Sequence, residues 1–317
     1  MQRKGSALSG MSTIAWKEAA DHFSSARFHF VMLLVLLTAF GGVYGAIGEI
    51  KNTIGQDPFL FLRLLTTSKQ PVPSFVAFLG FMLPLVSIAL AFDGINGEYG
   101  RRTMSRILSQ PIYRDALLFG KFVGGMIVLT ISLLTLWLLV TGLGILTLGL
   151  PPSGEEIARG LCFLVACLAY AGVWLALSLF LSTVFRQAAT SALAALALWL
   201  VFSIFWGMIA HALTAALAPI DPTDPMTLVN AVEWQTGLAR LSPNTLFSET
   251  ASALLNPQTR SLGLVFINQL EGAIPGAPLP FSQSALLVWP QLSGMVAAML
   301  LIFTAAYVTF QRQEVRA

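Results

Sequence analysis

Charge is scarce in this sequence. Only 10% of the 317 residues are Asp, Glu, Lys or Arg and 56% are hydrophobic, where a soluble domain carries about a quarter charged. With a mean hydropathy of +0.76, the shortage excludes a soluble helical core and calls for helices that cross a bilayer. The net charge of +3 is small, so nucleic acid is not implied as a partner. Cysteine is nearly absent. Cys162 and Cys167 share one apolar run, at a spacing that turns them to different sides of a helix, so neither a disulfide nor a metal pair is suggested. Histidine is limited to His22, His29 and His211, with no H-E-x-x-H and no G-x-S-x-G turn, which counts against an intramembrane enzyme; His211 reads as an interfacial polar residue. No G-x-x-x-x-G-K-[ST] phosphate loop occurs, so no ATP site is expected on this chain, and no cofactor or metal either. Ionisable residues are also missing from the middle of every long apolar run, which argues against a proton-driven carrier.

What is present is six runs long enough to span, at about residues 28–48, 74–92, 117–148, 157–185, 189–213 and 284–310. The fold class expected is therefore all-α: one polytopic membrane domain over residues 1–317. Lys and Arg are sorted by side. With the N-terminus inside, twelve fall on the inner segments and six (Lys51, Arg63, Lys69, Arg159, Arg240 and Arg260) on the longer outer ones. The positive-inside rule thus puts both termini in the cytoplasm, with the chain in the cytoplasmic (inner) membrane. Residues 12–28 read as an interfacial helix on membrane lipid, with Trp16, Ala20 and Phe23 on one face and Lys17, Asp21 and Ser24 on the other. Residues 215–281 are rich in proline and hold Trp234, Phe247 and Phe266. They read as a small external helical cap with an acidic surface from Asp221, Asp224, Glu233, Glu249 and Glu271, a place for an external accessory protein. Gly41-x-x-x-Gly45 and Ala188-x-x-x-Ala192, continuing to Ala195, permit close approach of a second copy.

One stretch departs from the apolar background. "FDGINGEYGRRTMSRILSQPIYRDALLFGKF" follows the second run and crowds Asp93, Glu98, Arg101, Arg102, Arg106, Arg114 and Asp115 together. Gly94, Gly97 and Gly100 permit a sharp change of direction, and a new helix over about 102–109 would expose its polar side and turn Met104, Ile107 and Leu108 inward. Pro111 ends one element and can start the next. Gly120 and Gly124 let the third span approach a neighbour closely.

This stretch resembles the signature of the type-2 ABC exporter permeases, including the NosY-like membrane subunits. An acidic residue, a Gly-rich turn, a "T-x-x-x-L-L-S-x-P-I-x-R" run and a "GK" are matched by Glu98, Thr103, Ile107, Leu108, Ser109, Pro111, Ile112, Arg114, Gly120 and Lys121. The resemblance implies a permease subunit that forms the membrane pathway of an ATP-driven exporter. Its partners would be a second permease copy (homodimer or heterodimer) and a cytoplasmic ABC ATPase that binds the ATP and Mg. Residues 93–115 become the coupling helix region, with Glu98, Arg101, Arg102, Arg106, Ser109, Pro111 and Arg114 facing the ATPase beside Trp16, Lys17 and Glu18 of the connecting helix. A non-transporting subunit that transmits ATPase motion to an external partner stays open beside the exporter, and an intramembrane enzyme stands further behind.

Overall fold

A computed structural model describes residues 7–50, 58–68, 73–104, 106, 109, 113–221, 223–263 and 278–313. Helices account for every regular element among them: α1 (Ala7–Ser24), α2 (Ala26–Ile50), α3 (Leu60–Thr66), α4 (Phe75–Ala91), α5 (Asn96–Gly100), α6 (Arg114–Leu148), α7 (Gly154–Val184), α8 (Ala188–Leu200), α9 (Trp206–Leu217), α10 (Pro225–Ala239), α11 (Pro243–Leu255) and α12 (Phe281–Arg312), with a π-helical turn (Val201–Phe205) joining α8 to α9. Six candidate spans result: α2, α4, α6, α7, the continuous α8–α9 rod and α12. The protein is an all-α polytopic membrane protein.

The helices start and stop where local chemistry says they should. Ser153 caps α7, accepting from the Glu156 N–H while Glu156 accepts from the Ser153 N–H. Gly149, at φ 72°, ends α6 in the left-handed conformation. Pro225 and Pro243 sit in the first turns of α10 and α11, where a missing N–H costs nothing.

Packing is organised around α7. Its most apolar window is 78% buried, against 11% for the α8–α9 rod, so the fourth span is the hub and the fifth an outlying rod. Trp174, Tyr170, Phe163 and Cys167 of α7 are all buried. Its neighbours are α12, α4, α6 and α11. Cys162 and Cys167 are free thiols, as their spacing demands.

Part of the segment after the fifth span, α11, packs into the bundle. Here α10 and α11 make a hairpin whose tip enters the bundle, and α11 packs along α7, α12 and α4. Phe247 is buried, stacked 4.5 Å from the Tyr170 ring. Tyr170 lies eleven residues along α7 from Arg159, which holds the other end of α11, so the insertion runs roughly 16 Å at 1.5 Å per residue. The reason is composition: Phe247, Ala251, Leu254 and Leu255 give α11 a face that only the bundle can bury. Trp234, by contrast, stays half exposed on α10. Glu249 contributes nothing to an acidic outer surface, since it pairs with Arg240 at 3.0 Å and accepts from Gln291 of α12 at 2.9 Å. Phe266 and Glu271 lie outside the described residues.

Two buried polar groups hold this end together. The Arg159 guanidinium, fully buried, donates to the Leu254 and Leu279 carbonyls, the Ser284 hydroxyl and the Glu155 carboxylate. The Glu156 carboxylate also accepts from the Phe61 N–H at 2.8 Å, so one side chain serves the first turns of both α7 and α3.

Candidate functional site: the face bearing α1 and the polar knuckle

The second span stops at Phe92 and the chain turns before α5. Breaking a helix frees backbone N–H groups, and here Ser182 of α7 takes two of them: its hydroxyl accepts from Ile95 N at 2.9 Å and Asn96 N at 3.2 Å. The Asn96 amide donates to the Phe185 carbonyl at 3.3 Å. The knuckle is thereby fastened to the end of the hub helix. Arg27, at the start of α2, pairs with Asp93 at 3.0 Å and covers the Phe92 ring.

After α5 the chain reverses through a 6→1 bond from Thr103 N to Glu98 O and a 5→2 bond from Arg102 N to Tyr99 O, the pairing of a Schellman motif. The residue at its left-handed position is Arg102, φ 56°, where glycine fits without strain. Arg101, Arg102, Arg106 and Ser109 are exposed and Met104 is buried, so this surface is cationic outward and anchored inward. Ile107, Leu108, Pro111 and Ile112 lie outside the described residues. Arg114 turns away from this surface. Its guanidinium donates to the Phe310 and Gln313 carbonyls at 2.6 and 2.7 Å and lies 4.7 Å from the Phe310 ring. It caps the end of α12, whose last carbonyls lack intrahelical partners.

The connecting helix is straightforward in position but not in orientation. It is seated on α6 through Ile14, Ala15 and Ala19, which are buried, while Trp16 is 66% exposed. Of the face read from Trp16, Ala20 and Phe23, only Phe23 packs on protein, edge-on to Phe28 at 5.3 Å, while Trp16 and Ala20 stay exposed. Gly120 and Gly124 make the seat: a Cβ at Gly120 would lie 2.6 Å from Ile14 Cγ2, and one at Gly124 would lie 2.9 Å from the Ala15 carbonyl oxygen. The helix also begins at Ala7, ahead of residue 12, and breaks at Ser25 before α2.

Beside that seat sits Lys121, two turns into α6 with its side chain only 6% exposed. Its ammonium donates to Glu18 of α1 at 2.7 Å and to Glu98 of α5 at 3.3 Å. Glu98 also accepts from the Thr103 hydroxyl. One cation thus joins the connecting helix, the knuckle and the third span. Lys121 is visible in sequence as half of the "GK" pair; its partners, 103 and 23 residues away in the chain, are not. A polar cavity of about 340 Å³ opens beside this pair, bounded by Lys17, Asp21, His22, Arg27, Asp93 and Arg101. Burial lowers the Lys17 pKa, but the hydrogen bond to Asp21 and the charge of Glu18 outweigh it, leaving the group raised. Burial dominates at His22 and pulls its pKa below the ordinary imidazole value.

The small-residue stripes divide. Gly41 is exposed and Gly45 half-buried on α2. Ala188 and Ala192 are half-buried, but Ala195 is fully buried within the chain and unavailable to a second copy. The outward face of the fifth span carries Leu193, Leu200, Ile204 and Met208 instead.

Residues 12–315 match the family described as "ABC-2 family transporter protein". A probable ABC transporter permease protein NosY of Pseudomonas aeruginosa is 30% identical over 237 residues, 69% of this chain and 80% of that protein. A second probable NosY permease, from Stutzerimonas stutzeri, is 26% identical over 183 residues, 52% of this chain and 64% of its own length. The family match runs nearly end to end, and the chain belongs to the ABC-2 family of transporter membrane subunits.

Proposed function

We propose that the chain is the permease subunit of an ATP-driven exporter, and that the surface formed by α1 and the knuckle receives a separate ATPase subunit. The observation that carries this is the Lys121 junction. A force applied to the exposed arginines would move α1, α5 and α6 together, because the half-buried Glu18 and Glu98 both pair with the buried Lys121. Buried ion pairs are costly to separate, so the three elements act as one lever. In this reading ATP and Mg2+ bind on the ATPase, whose docking face is anionic opposite Arg101, Arg102 and Arg106. That face lies in the cytoplasm, in keeping with the lysine and arginine bias. Trp16 then lies in the headgroup layer, where an indole is at home. A second permease copy packs on the outward face of the fifth span and completes the pathway.

The test is charge reversal. Arg102→Glu with Arg106→Glu should reduce co-purification of the ATPase encoded with this chain by tenfold or more, while the amount of permease in the membrane stays unchanged. Full co-purification with the double variant would remove the knuckle as the docking surface.

A further inference from the structure

The fourth span carries a polar node that the docking surface does not explain. Pro84 lies inside α4, and a proline has no N–H to offer the carbonyl four residues earlier. That carbonyl belongs to Gly80. Orphaned in an apolar interior it would be unfavourable, and the Tyr170 hydroxyl of α7 donates to it at 3.0 Å. The same hydroxyl lies 3.3 Å from Asn244 Oδ1, in the first turn of α11. A phenol has one proton, so it serves one of these acceptors at a time. Two further buried polar groups, the Trp174 indole N–H and the Ser203 hydroxyl, lie close to the Tyr170 hydroxyl but without the geometry of a full hydrogen bond. Ser203 sits in the π-helical turn of the fifth span, a local irregularity of the kind found at functional positions.

We propose that Tyr170 is a two-position switch coupling the proline hinge of the second span to the inserted hairpin. In the arrangement seen here, the proton satisfies Gly80. When α4 swings away, rotation about the C–O bond alone delivers the proton to Asn244. The ring need not move, because Phe247 stacks on it within 14° of parallel. The nearby Trp174 and Ser203 donors are then available to the phenol oxygen in either position. Phe247 also lies against Gly80, 3.3 Å from where a Cβ would be, so a displacement of α4 at this level meets the first turns of α11 directly. The second span leads straight into the knuckle, and the hairpin reaches the opposite face. The node is therefore placed to relay movement from one side of the protein to the other. What drives α4 is the ATPase of the reading above; the relay itself is a property of this chain.

The experiment contains no ATPase, so its failure would leave the permease assignment standing. The full chain, with Cys162→Ser and Cys167→Ala, is placed in lipid nanodiscs with spin labels on Leu228→Cys in α10 and Leu146→Cys at the end of α6, both exposed positions. Pro84→Ala restores an N–H for Gly80 and should shift the label separation by about 3 Å or more, two residues of helical rise. Adding Tyr170→Phe, which keeps the ring and deletes the proton, should cut that shift by at least half. An equal shift with and without the hydroxyl, or no shift in either background, overturns the switch. Should Pro84→Ala fail to fold, Tyr170→Phe alone replaces it: deleting the proton that holds Gly80 should shift the label separation by about 3 Å, and an unchanged distribution overturns the proposal equally.

Discussion

Lys121 shows how much one residue can organise. Replacing it by methionine keeps the stem but leaves Glu18 and Glu98 facing each other with only the exposed Lys17, 3.8 Å from Glu18, beside them, which should destabilise the fold by about 1–3 kcal/mol. Lys121→Met should lower the unfolding temperature in detergent and expose α1 to trypsin at Lys17; unchanged cleavage would mean that the seat alone holds the helix. His22 adds a pH dependence in the same place. Its pKa is lowered by burial, with Glu18, Asp93, Lys121 and Arg27 around it, so the unfolded chain takes up a proton more readily than the folded one. Stability is therefore full above the ordinary imidazole value of about 6.5 and falls as pH drops towards the lowered value. The protection of α1 amides, corrected for the intrinsic pH dependence of exchange, should fall as pH drops below about 6.5, and His22→Gln should flatten that response. A response that survives His22→Gln belongs to another group.

At the scale of elements, two contacts decide the architecture. The connecting helix has short side chains facing the third span, and Gly120 and Gly124 let the two backbones meet. Without a strong hydrophobic drive between helices in lipid, such close packing is the main source of adhesion. Gly120→Val would overlap Ile14 and should cost about 2 kcal/mol by overpacking. The expected result is an α1 that exchanges its amides freely while the six spans remain intact, measured by peptide-level hydrogen exchange. Protection of α1 equal to wild type would show that the helix can be reseated. The second contact is Arg159, whose donors join α7 to the end of α11 and the start of α12. A cation this buried is tolerable because all its bonds are made inside the protein.

For the whole molecule, the exposed α8–α9 rod is the feature that asks for a partner. Leu193 is 67% and Met208 70% exposed on a rod that touches the rest of the chain only along its inner side. In the proposed dimer, cysteines at Leu193, Leu200, Ile204 and Met208 should cross-link between copies in native membranes, whereas one at Ala195 should not. Cross-linking at none of the four would leave this face to lipid. The stripe Ala188, Ala192, Ala195 illustrates the difficulty of choosing a face from sequence: small residues mark close approach, but the close approach at Ala195 is to the chain's own helices.

The amino-acid sequence by itself determined the number of spans, their order and the position of the knuckle. Each span is a sum of local transfer preferences over about 20 residues, and the Gly-rich charged stretch is a local interruption of one. Tertiary structure alone decided which face of α1 is buried, that α11 enters the bundle, that Lys121 meets Glu18 and Glu98, and that Arg114 caps α12. The physical reason is that lipid and protein interior are equally apolar. Periodicity marks a hydrophobic face in a membrane helix without saying whether lipid or protein covers it, and the polar pairs that break the tie join residues as far as 199 positions apart.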